Sequence, residues 1–329
     1  MLKTLLLATT LAVPLALSAG PARAQSFDPV AAIDALEGTF GVHAGARRSH
    51  AKGVCVTGSF QGTADGRALS SASLFSGVSH PIVGRFSVGG GNPRATDKGR
   101  SVRGLAFEAA LPNNEVFVTT MLSAPVFFVA KPEHFAPFIA SRRPDPATGM
   151  PDPARVRAFN EAHPDTKPQI DYLAAAPIPA SYAAVNYWGV HAFRFIDANR
   201  TVRNVKWSFE PVGGTLGLTA EQIASLPNDF LIEEIAGRVQ RGPVAFDMVA
   251  QIGEAGDDVT NPTVTWPATR AKRTVGRLTI ARVDTAATAA CVAKNFDPNL
   301  LPRGIEASDD PVLQARSAPY AVSVQRRTQ

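Results

Sequence analysis

The sequence predicts an α+β fold in which an antiparallel β-barrel carries helices inserted between its strands. Short apolar segments of strand composition recur along the chain, and polar turns such as residues 111–114 join neighbouring segments into hairpins. Apolar residues at helical spacing, such as Phe135, Phe138 and Ile139, occupy separate stretches between them. Hairpin-connected strands with helices set apart are typical of an antiparallel sheet or barrel.

The same patterns assign the elements in chain order. A helical arm is expected at residues 26–41, and Pro144 should end a helix that begins near Pro132. Further helices are predicted at residues 155–162, 219–226 and 230–239, the second of them opened by a capping box of Thr219 and Gln222. The predicted strands cover residues 54–60, 82–88, 104–109, 116–120, 190–196, 202–209, 244–252 and 275–283. Residues 298–319, rich in Pro and Asp, are expected to be irregular.

Residues 1–24 have the features of a cleaved signal peptide. Lys3 precedes an apolar run at residues 5–17, and Ala-Arg-Ala at residues 22–24 fits a cleavage site before Gln25. The run is too short to span a bilayer and contains Pro14, so no stable membrane anchor is expected. The sequence therefore predicts export, with the mature protein in the periplasm.

Residues 25–329 are expected to form a single domain, because no break in composition divides them. The chain is 45% apolar and 19% charged, as is usual for a globular protein. Its formal charge of +5 falls to +3 without Lys3 and Arg23, the charged residues of the first 24. That charge is too small to indicate a nucleic-acid partner. Cys55 and Cys291 either form a disulfide or are two buried apolar residues, and the sequence leaves both readings open.

Three segments carry residues of chemical interest, although each has an ordinary structural reading. His50, in Ser-His-Ala-Lys-Gly at residues 49–53, directly precedes the first strand. Arg-Gly-Leu-Ala at residues 103–106 could simply be a charged turn that opens a hairpin. Pro-Val-Phe-Phe at residues 125–128, with Phe135 nearby, would more often be core than the wall of a cofactor site.

A fourth segment lies near the C-terminus, where the run at residues 304–316 is followed by Tyr320. Arg316 and Tyr320 are four residues apart, so they share a face if the segment is helical. A guanidinium beside a tyrosine oxygen favours the phenolate, because it pairs with the charge and donates a hydrogen bond. The alternative is a surface arginine stacked on a surface tyrosine.

Taken in order, the four segments resemble the haem catalases, and most closely the short, exported catalase-related peroxidases. The resemblance covers residues 26–325. Residues 49–53 match the V-H-A-K-G-like motif, which makes His50 the counterpart of the distal histidine. The run from Gly304 to Tyr320 matches the family's G-I-E-P-S-x-D…L-Q-x-R-x-x-x-Y segment, which implies Tyr320 as the iron ligand and Arg316 as its partner. The implied fold is a catalase-like haem-binding barrel.

The resemblance assigns further residues to the haem site. Arg47 matches a basic residue that is typical three positions before the distal histidine, and Arg103 matches an arginine that usually meets a haem propionate. Both are candidates for pairing with the two propionates. Phe127, Phe128 and Phe135 correspond to aromatic walls of the haem pocket. His191, in Gly-Val-His-Ala-Phe, resembles a histidine on the proximal side.

Two departures from the family pattern bear on activity. Catalases carry an Asn pair before T-P-[VI]-F-F, but this chain has Leu122 and Ser123 there. The sequence also ends at Gln329, soon after Tyr320, so the long C-terminal extension of full-length catalases and NADPH binding are not expected. Both departures favour peroxidase activity over rapid dismutation of hydrogen peroxide.

The resemblance thus implies a haem b peroxidase that reduces hydrogen peroxide and organic hydroperoxides with one-electron donors and has weak catalase activity. Three alternatives stay open: a haem-dependent lipid hydroperoxide isomerase, a non-catalytic periplasmic haem-binding protein, and a barrel that binds a small apolar ligand. The expected partners are a peroxide and an unidentified electron donor, and a homo-oligomer is allowed.

Overall fold

The structure, a computed structural model, describes residues 27–328, and its strands form one antiparallel sheet. The strands are β1 (Gly53–Gly62), β2 (Ser79–Val88), β3 (Arg103–Ala110), β4 (Val116–Leu122), β5 (Tyr187–Trp188), β6 (Phe193–Ile196), β7 (Val202–Pro211), β8 (Val244–Ile252), β9 (Lys272–Asp284) and β10 (Ile305–Ala307). The helices are α1 (Pro29–Phe40), α2 (Ala64–Leu69), α3 (Phe135–Ser141), α4 (Pro153–Ala162), α5 (Lys167–Ala175), α6 (Ala220–Ser225), α7 (Phe230–Arg241), α8 (Ala290–Ala293), α9 (Pro311–Gln314) and α10 (Ser317–Thr328).

Eight strands close into a barrel, which confirms the predicted architecture. Their order is β7-β5-β4-β3-β2-β1-β9-β8, and β8 pairs back onto β7 from Val205↔Ile252 to Pro211↔Phe246. Strands β6 and β10 extend the sheet outward from β7. Closure leaves these eight strands without a free edge that could pair with another chain.

Aromatic side chains fill the barrel interior. Phe60, Phe107 and Phe209 pack ring against ring, with centroids between 5.5 and 6.5 Å apart. Trp207 stacks on Phe193 at 3.8 Å. Because these rings are fully or almost fully buried, the interior is a packed core, and nothing in it favours a barrel that holds a ligand inside.

The functional side chains instead lie on the outer face of β2, β3 and β4. Residues alternate between the two faces of a strand, so Phe86 points inward while Arg85 and Ser87 point outward. The pairing register places Ser87 opposite Gly104, and Gly104 opposite Leu122. This row of Ser87, Gly104 and Leu122 forms one boundary of the site.

Most predicted elements agree with the structure within a few residues, and three differences are informative. Val190 is not in a strand but has φ +56°, and the strand begins only at Phe193. The segment expected to be irregular contains β10, α9 and the start of α10, because Asp310 caps α9 and Pro311 occupies its first turn. Helices α2, α5 and α8 were not predicted. The capping box at Thr219 and Gln222 is confirmed.

Cys55 and Cys291 form a disulfide that joins β1 to α8. Their Cα atoms are 5.5 Å apart, within the usual range for such a bond. The predicted signal peptide and its cleavage site lie outside the described residues. Within residues 27–328, no helix has the length and apolar character needed to cross a membrane.

Candidate active site

His50 is held in an uncommon backbone conformation directly before β1. Its φ is +52°, in the left-handed region that side chains other than glycine seldom adopt. The buried guanidinium of Arg85 secures this turn by donating to the carbonyls of His50 and Ala51, each at 2.7 Å. The amide of Ala51 donates to the carbonyl of Gly90 at 3.0 Å. Local strain of this kind persists where the surroundings fix it, often at functional sites.

The imidazole of His50 is oriented by the outer face of the barrel. Its Nδ1 lies 2.9 Å from Oγ of Ser87. A Cβ atom at Gly104, opposite Ser87, would come within 2.8 Å of that Nδ1 and 2.5 Å of that Oγ. Glycine is therefore required at residue 104 for the histidine and serine to meet. Nε2 of His50 makes no hydrogen bond to any described residue and stays available to a substrate.

Burial lowers the pKa of His50 to about 3, and the positive charges of Arg85, Arg316 and Arg47 contribute to the same shift. The side chain is half-buried, and the charges of three arginines from separate parts of the chain disfavour its protonated form. The imidazole is consequently neutral at physiological pH. A neutral imidazole with a free Nε2 can accept a proton.

Tyr320 lies in the first turn of α10 and ends a chain of polar contacts. Nη2 of Arg316 donates to Oη of Tyr320 at 2.5 Å, and its Nη1 donates to Nε2 of His191 at 3.3 Å. Nδ1 of His191 donates to Oδ2 of Asp310 at 2.6 Å. The predicted Arg316–Tyr320 pair is therefore present.

The direction of these hydrogen bonds follows from the chemistry of the groups. A guanidinium only donates, so Nε2 of His191 must accept and Nδ1 must carry the proton that goes to Asp310. Burial lowers the pKa of His191, while the hydrogen bond to Asp310 opposes that shift. The other oxygen of Asp310 accepts from the amides of Val312 and Leu313 and so caps α9. Asp310 thereby fixes both the helix and the histidine ring that orients Arg316.

Three guanidinium groups gather at the site without a carboxylate partner among the described residues: Arg47, Arg85 and Arg327. Burial lowers the pKa of Arg47 to about 9, and the charges of Arg85 and Arg327 add to the shift while Tyr320 opposes it. Burial also lowers the pKa of Arg85 to about 10. Arg47 donates only to backbone carbonyls, those of Cys291 and Lys294 at 2.8 Å each and that of Val292 at 3.5 Å. A partly buried group of like charges is suited to binding an anion.

Arg103 does not join this arginine cluster, so its predicted contact with a propionate is corrected. Its side chain is buried, and its two terminal nitrogens donate to the carbonyls of Asp97, Gly99 and Ser101. Arg103 therefore holds the loop before β3. Sequence reasoning missed Arg85, Ser87, Asp310 and Arg327. A signal existed for two of them, since Arg85 interrupts an apolar strand and Arg327 is two helical turns beyond Tyr320.

The three predicted phenylalanines form an aromatic cluster beside this network. The rings of Phe127 and Phe128 lie 4.1 Å apart, and Phe128 lies 5.5 Å from Phe135 and 4.3 Å from Phe138. Phe127 is 6.0 Å from the ring of His191. Phe128 and Phe135 are only half-buried, so the cluster presents apolar surface to a further group.

Leu122 lies in the same row of the outer face as Ser87, with Gly104 between them. It is half-buried, pairs with Gly104 and Trp188 across the sheet and packs near Phe127. Ser123 is buried, and its hydroxyl accepts from the amide of Arg103 at 2.8 Å. The boundary of the site is thus apolar at residue 122, and the hydroxyl of Ser123 is engaged with the backbone.

The fold is that of the catalases. A solved bacterial catalase matches 94% of this chain with a TM-score of 0.80 and 24% identity, and catalase A from Saccharomyces cerevisiae matches 86% with a TM-score of 0.79 and 24% identity. This chain spans 63% and 61% of those two chains, respectively.

The chain belongs to the catalase family, whose model, described as "Catalase", matches residues 31–328. It is 44% identical to a catalase-related peroxidase from Synechococcus elongatus, over 93% of this chain and 90% of that protein. It is 37% identical to a catalase-related peroxidase from Mycolicibacterium paratuberculosis, over 91% of this chain and 95% of that protein. The family resemblance seen in the sequence is confirmed.

Proposed function

We propose that this protein is a haem-dependent peroxidase that reduces hydrogen peroxide and organic hydroperoxides with one-electron donors. One observation carries the proposal: a neutral histidine with a free Nε2 lies close enough to a tyrosine–arginine pair for the arginine's charge to act on it. Arg316, which holds Tyr320, also lowers the pKa of His50, and Tyr320 acts on Arg47. The names of the two relatives, both catalase-related peroxidases, support the same activity.

The residues of the site fit haem, the cofactor expected for this family. Haem has a flat apolar ring and two carboxylates. The site offers half-buried aromatic rings and an arginine cluster that has no carboxylate partner within residues 27–328. We assign the propionates to Arg47, Arg85 and Arg327, as charge-assisted pairs. Tyr320 would be the iron ligand of a haem b, and the iron would supply the redox chemistry.

His50 supplies proton transfer in this proposal. Its neutral Nε2 takes the proton of a peroxide O–H group and returns it to the oxygen that leaves as water or as an alcohol. Ser87 and the turn secured by Arg85 keep the ring in place, which removes part of the entropic cost of reaching a reactive geometry. Arg316 holds the oxygen of Tyr320, and His191 with Asp310 holds Arg316.

We also propose that the protein acts in the periplasm. Residues 1–24 would direct export and be removed before Gln25. A reducing partner in that compartment would supply the electrons, one at a time.

Replacing Tyr320 with phenylalanine tests the cofactor assignment. We expect the Tyr320→Phe variant to lose haem, or to show a Soret band typical of another ligand, because the phenolate oxygen is gone. Absorption spectra of purified protein, with haem counted per chain, measure this. Tyr172→Phe is the matched control, since Tyr172 packs against Trp188 outside the site, and it should keep the spectrum of the parent. An unaltered spectrum in Tyr320→Phe would refute the assignment.

The acid side of the pH profile tests the state of His50. An unperturbed histidine titrates near pH 6.5, but burial and nearby arginines lower the pKa of His50 to about 3. The lowered value means that the imidazole remains a proton acceptor as the pH falls through 6.5. We expect initial rates of peroxide reduction, measured across the range from pH 7.5 to pH 5, to stay level. An inflection near pH 6.5 that disappears in His50→Ala would contradict this reading.

A further inference from the structure

Two histidines and one aspartate lie together outside the site described above. His134 ends the turn Pro132–His134 that leads into α3, His163 directly follows α4, and Asp165 lies in the turn Pro164–Thr166. One nitrogen of each ring and one carboxylate oxygen lie within 4.8 Å of one another. All three residues are half-buried, so an ion could reach them from solvent.

Separate contacts hold each of the three side chains. Oδ2 of Asp165 accepts from the amide of Ala130 at 2.7 Å. The ring of His163 packs on Phe159, with centroids 4.3 Å apart, and the ring of His134 lies 4.2 Å from that of His163. Hydrogen bonds to ligating carboxylates and packing of ligating rings fix the direction of metal ligands in proteins.

His134 has an unmet hydrogen-bonding requirement. Its Nδ1 is buried and has no hydrogen-bond partner among the described residues. Most buried polar atoms in folded proteins have a partner, and exceptions call for an explanation. The ring of His163 and the carboxylate of Asp165 lie close to this histidine. A metal ion bound at Nδ1 would remove the deficit.

We propose that His134, His163 and Asp165 bind one divalent transition-metal ion of the zinc type. Imidazole nitrogens and a carboxylate oxygen bind zinc at about 2.0–2.2 Å, which places tetrahedral ligands about 3.4 Å from one another. Side-chain rotations would draw the three groups together from the separations seen here. Three protein ligands leave a coordination position for water.

The position of this metal site connects it with the aromatic cluster. Ala130 and His134 lie within the segment that joins Phe128 to Phe135, and the rings of these two phenylalanines contact each other. His163 and Asp165 belong to the connection between α4 and α5. A bound ion would join the two segments and stabilise the folded chain, because it binds the folded state in preference to the unfolded one.

Zinc titration of the untagged holoprotein, after treatment with a chelator, tests the proposal. We expect one zinc ion per chain by calorimetry and a higher melting temperature with zinc. Loss of an outer-shell partner already costs about 10–100-fold in metal affinity, so we expect His163→Ala to weaken zinc binding by about 100-fold or more. The matched control is His43→Ala, since the ring of His43 hydrogen-bonds to the carbonyl of Phe40 and is not part of the metal site.

Asp165→Asn provides a second variant that preserves the local fold. An amide oxygen can still accept from Ala130, but the negative charge is lost, so zinc affinity should fall while the melting temperature without zinc stays unchanged. If His163→Ala fails to fold, this variant decides the question. Equal zinc affinity in the parent, Asp165→Asn and His43→Ala, or no zinc binding by the parent, would overturn the proposal. The titration does not use peroxidase activity, so it stands apart from the proposed function.

Discussion

Replacing His50 with alanine is expected to slow peroxide reduction by about 10²–10⁴-fold, the usual contribution of general acid–base catalysis. Nε2 of His50 is the free proton acceptor that the outer face of the barrel orients, through the contact of Nδ1 with Ser87. Alanine removes that acceptor but leaves Tyr320 and the arginine cluster intact. Haem content should therefore stay the same while the rate of dye oxidation at low peroxide falls.

The controls separate proton transfer from general damage to the fold. His43→Ala removes a histidine whose ring contacts the carbonyl of Phe40, and it should retain the parent rate. Ser87→Ala keeps the imidazole but removes its hydrogen-bond partner, so its rate should lie between those of the parent and His50→Ala. A rate in His50→Ala equal to that of the parent, at equal haem content, would remove His50 from the mechanism.

The barrel and the main site residues could be predicted from the sequence for identifiable reasons. Turn residues between apolar strand segments predict hairpins, and consecutive hairpins close into the observed barrel. The spacing of Arg316 and Tyr320 predicted their contact, because four residues bring side chains onto one helical face. His50 was identified through the motif around it and not through any property of the histidine alone.

The roles of Arg85 and Arg103 could not be assigned from sequence, because they depend on strand register and loop path. Arg85 and Arg103 both stand in apolar strands, yet Arg85 reaches the turn at His50 while Arg103 reaches back to the loop before β3. Neither the direction of these side chains nor the path of the loop is readable from composition. The importance of Gly104 likewise became clear only from the pairing that sets it between Ser87 and Leu122.

Replacing Leu122 is expected to have the second large effect, a gain in the rate of hydrogen peroxide dismutation. A catalase carries an asparagine at this position in its sequence pattern, and here the half-buried leucine stands in the same outer row as Ser87. Gly104 lies between them without a side chain, so residue 122 borders the space around His50. Dismutation needs two molecules of hydrogen peroxide in turn, and an amide there would help to hold the second one. The unaltered protein should therefore evolve oxygen weakly while it oxidises a dye donor with either hydrogen peroxide or an organic hydroperoxide.

Leu122→Asn is expected to raise oxygen evolution from hydrogen peroxide by up to about 10²-fold, because one hydrogen bond made in a transition state is worth about 3 kcal/mol. Asparagine is close to leucine in shape, so the packing against Trp188 and Phe127 should survive. Leu122→Met is the matched control, since it fills similar space without an amide and should leave oxygen evolution low. Ser123 is a poor second target, because its hydroxyl already accepts from the amide of Arg103. Oxygen evolution by the parent at the rate of a full-length catalase, measured with an oxygen electrode, would show that the leucine does not limit dismutation.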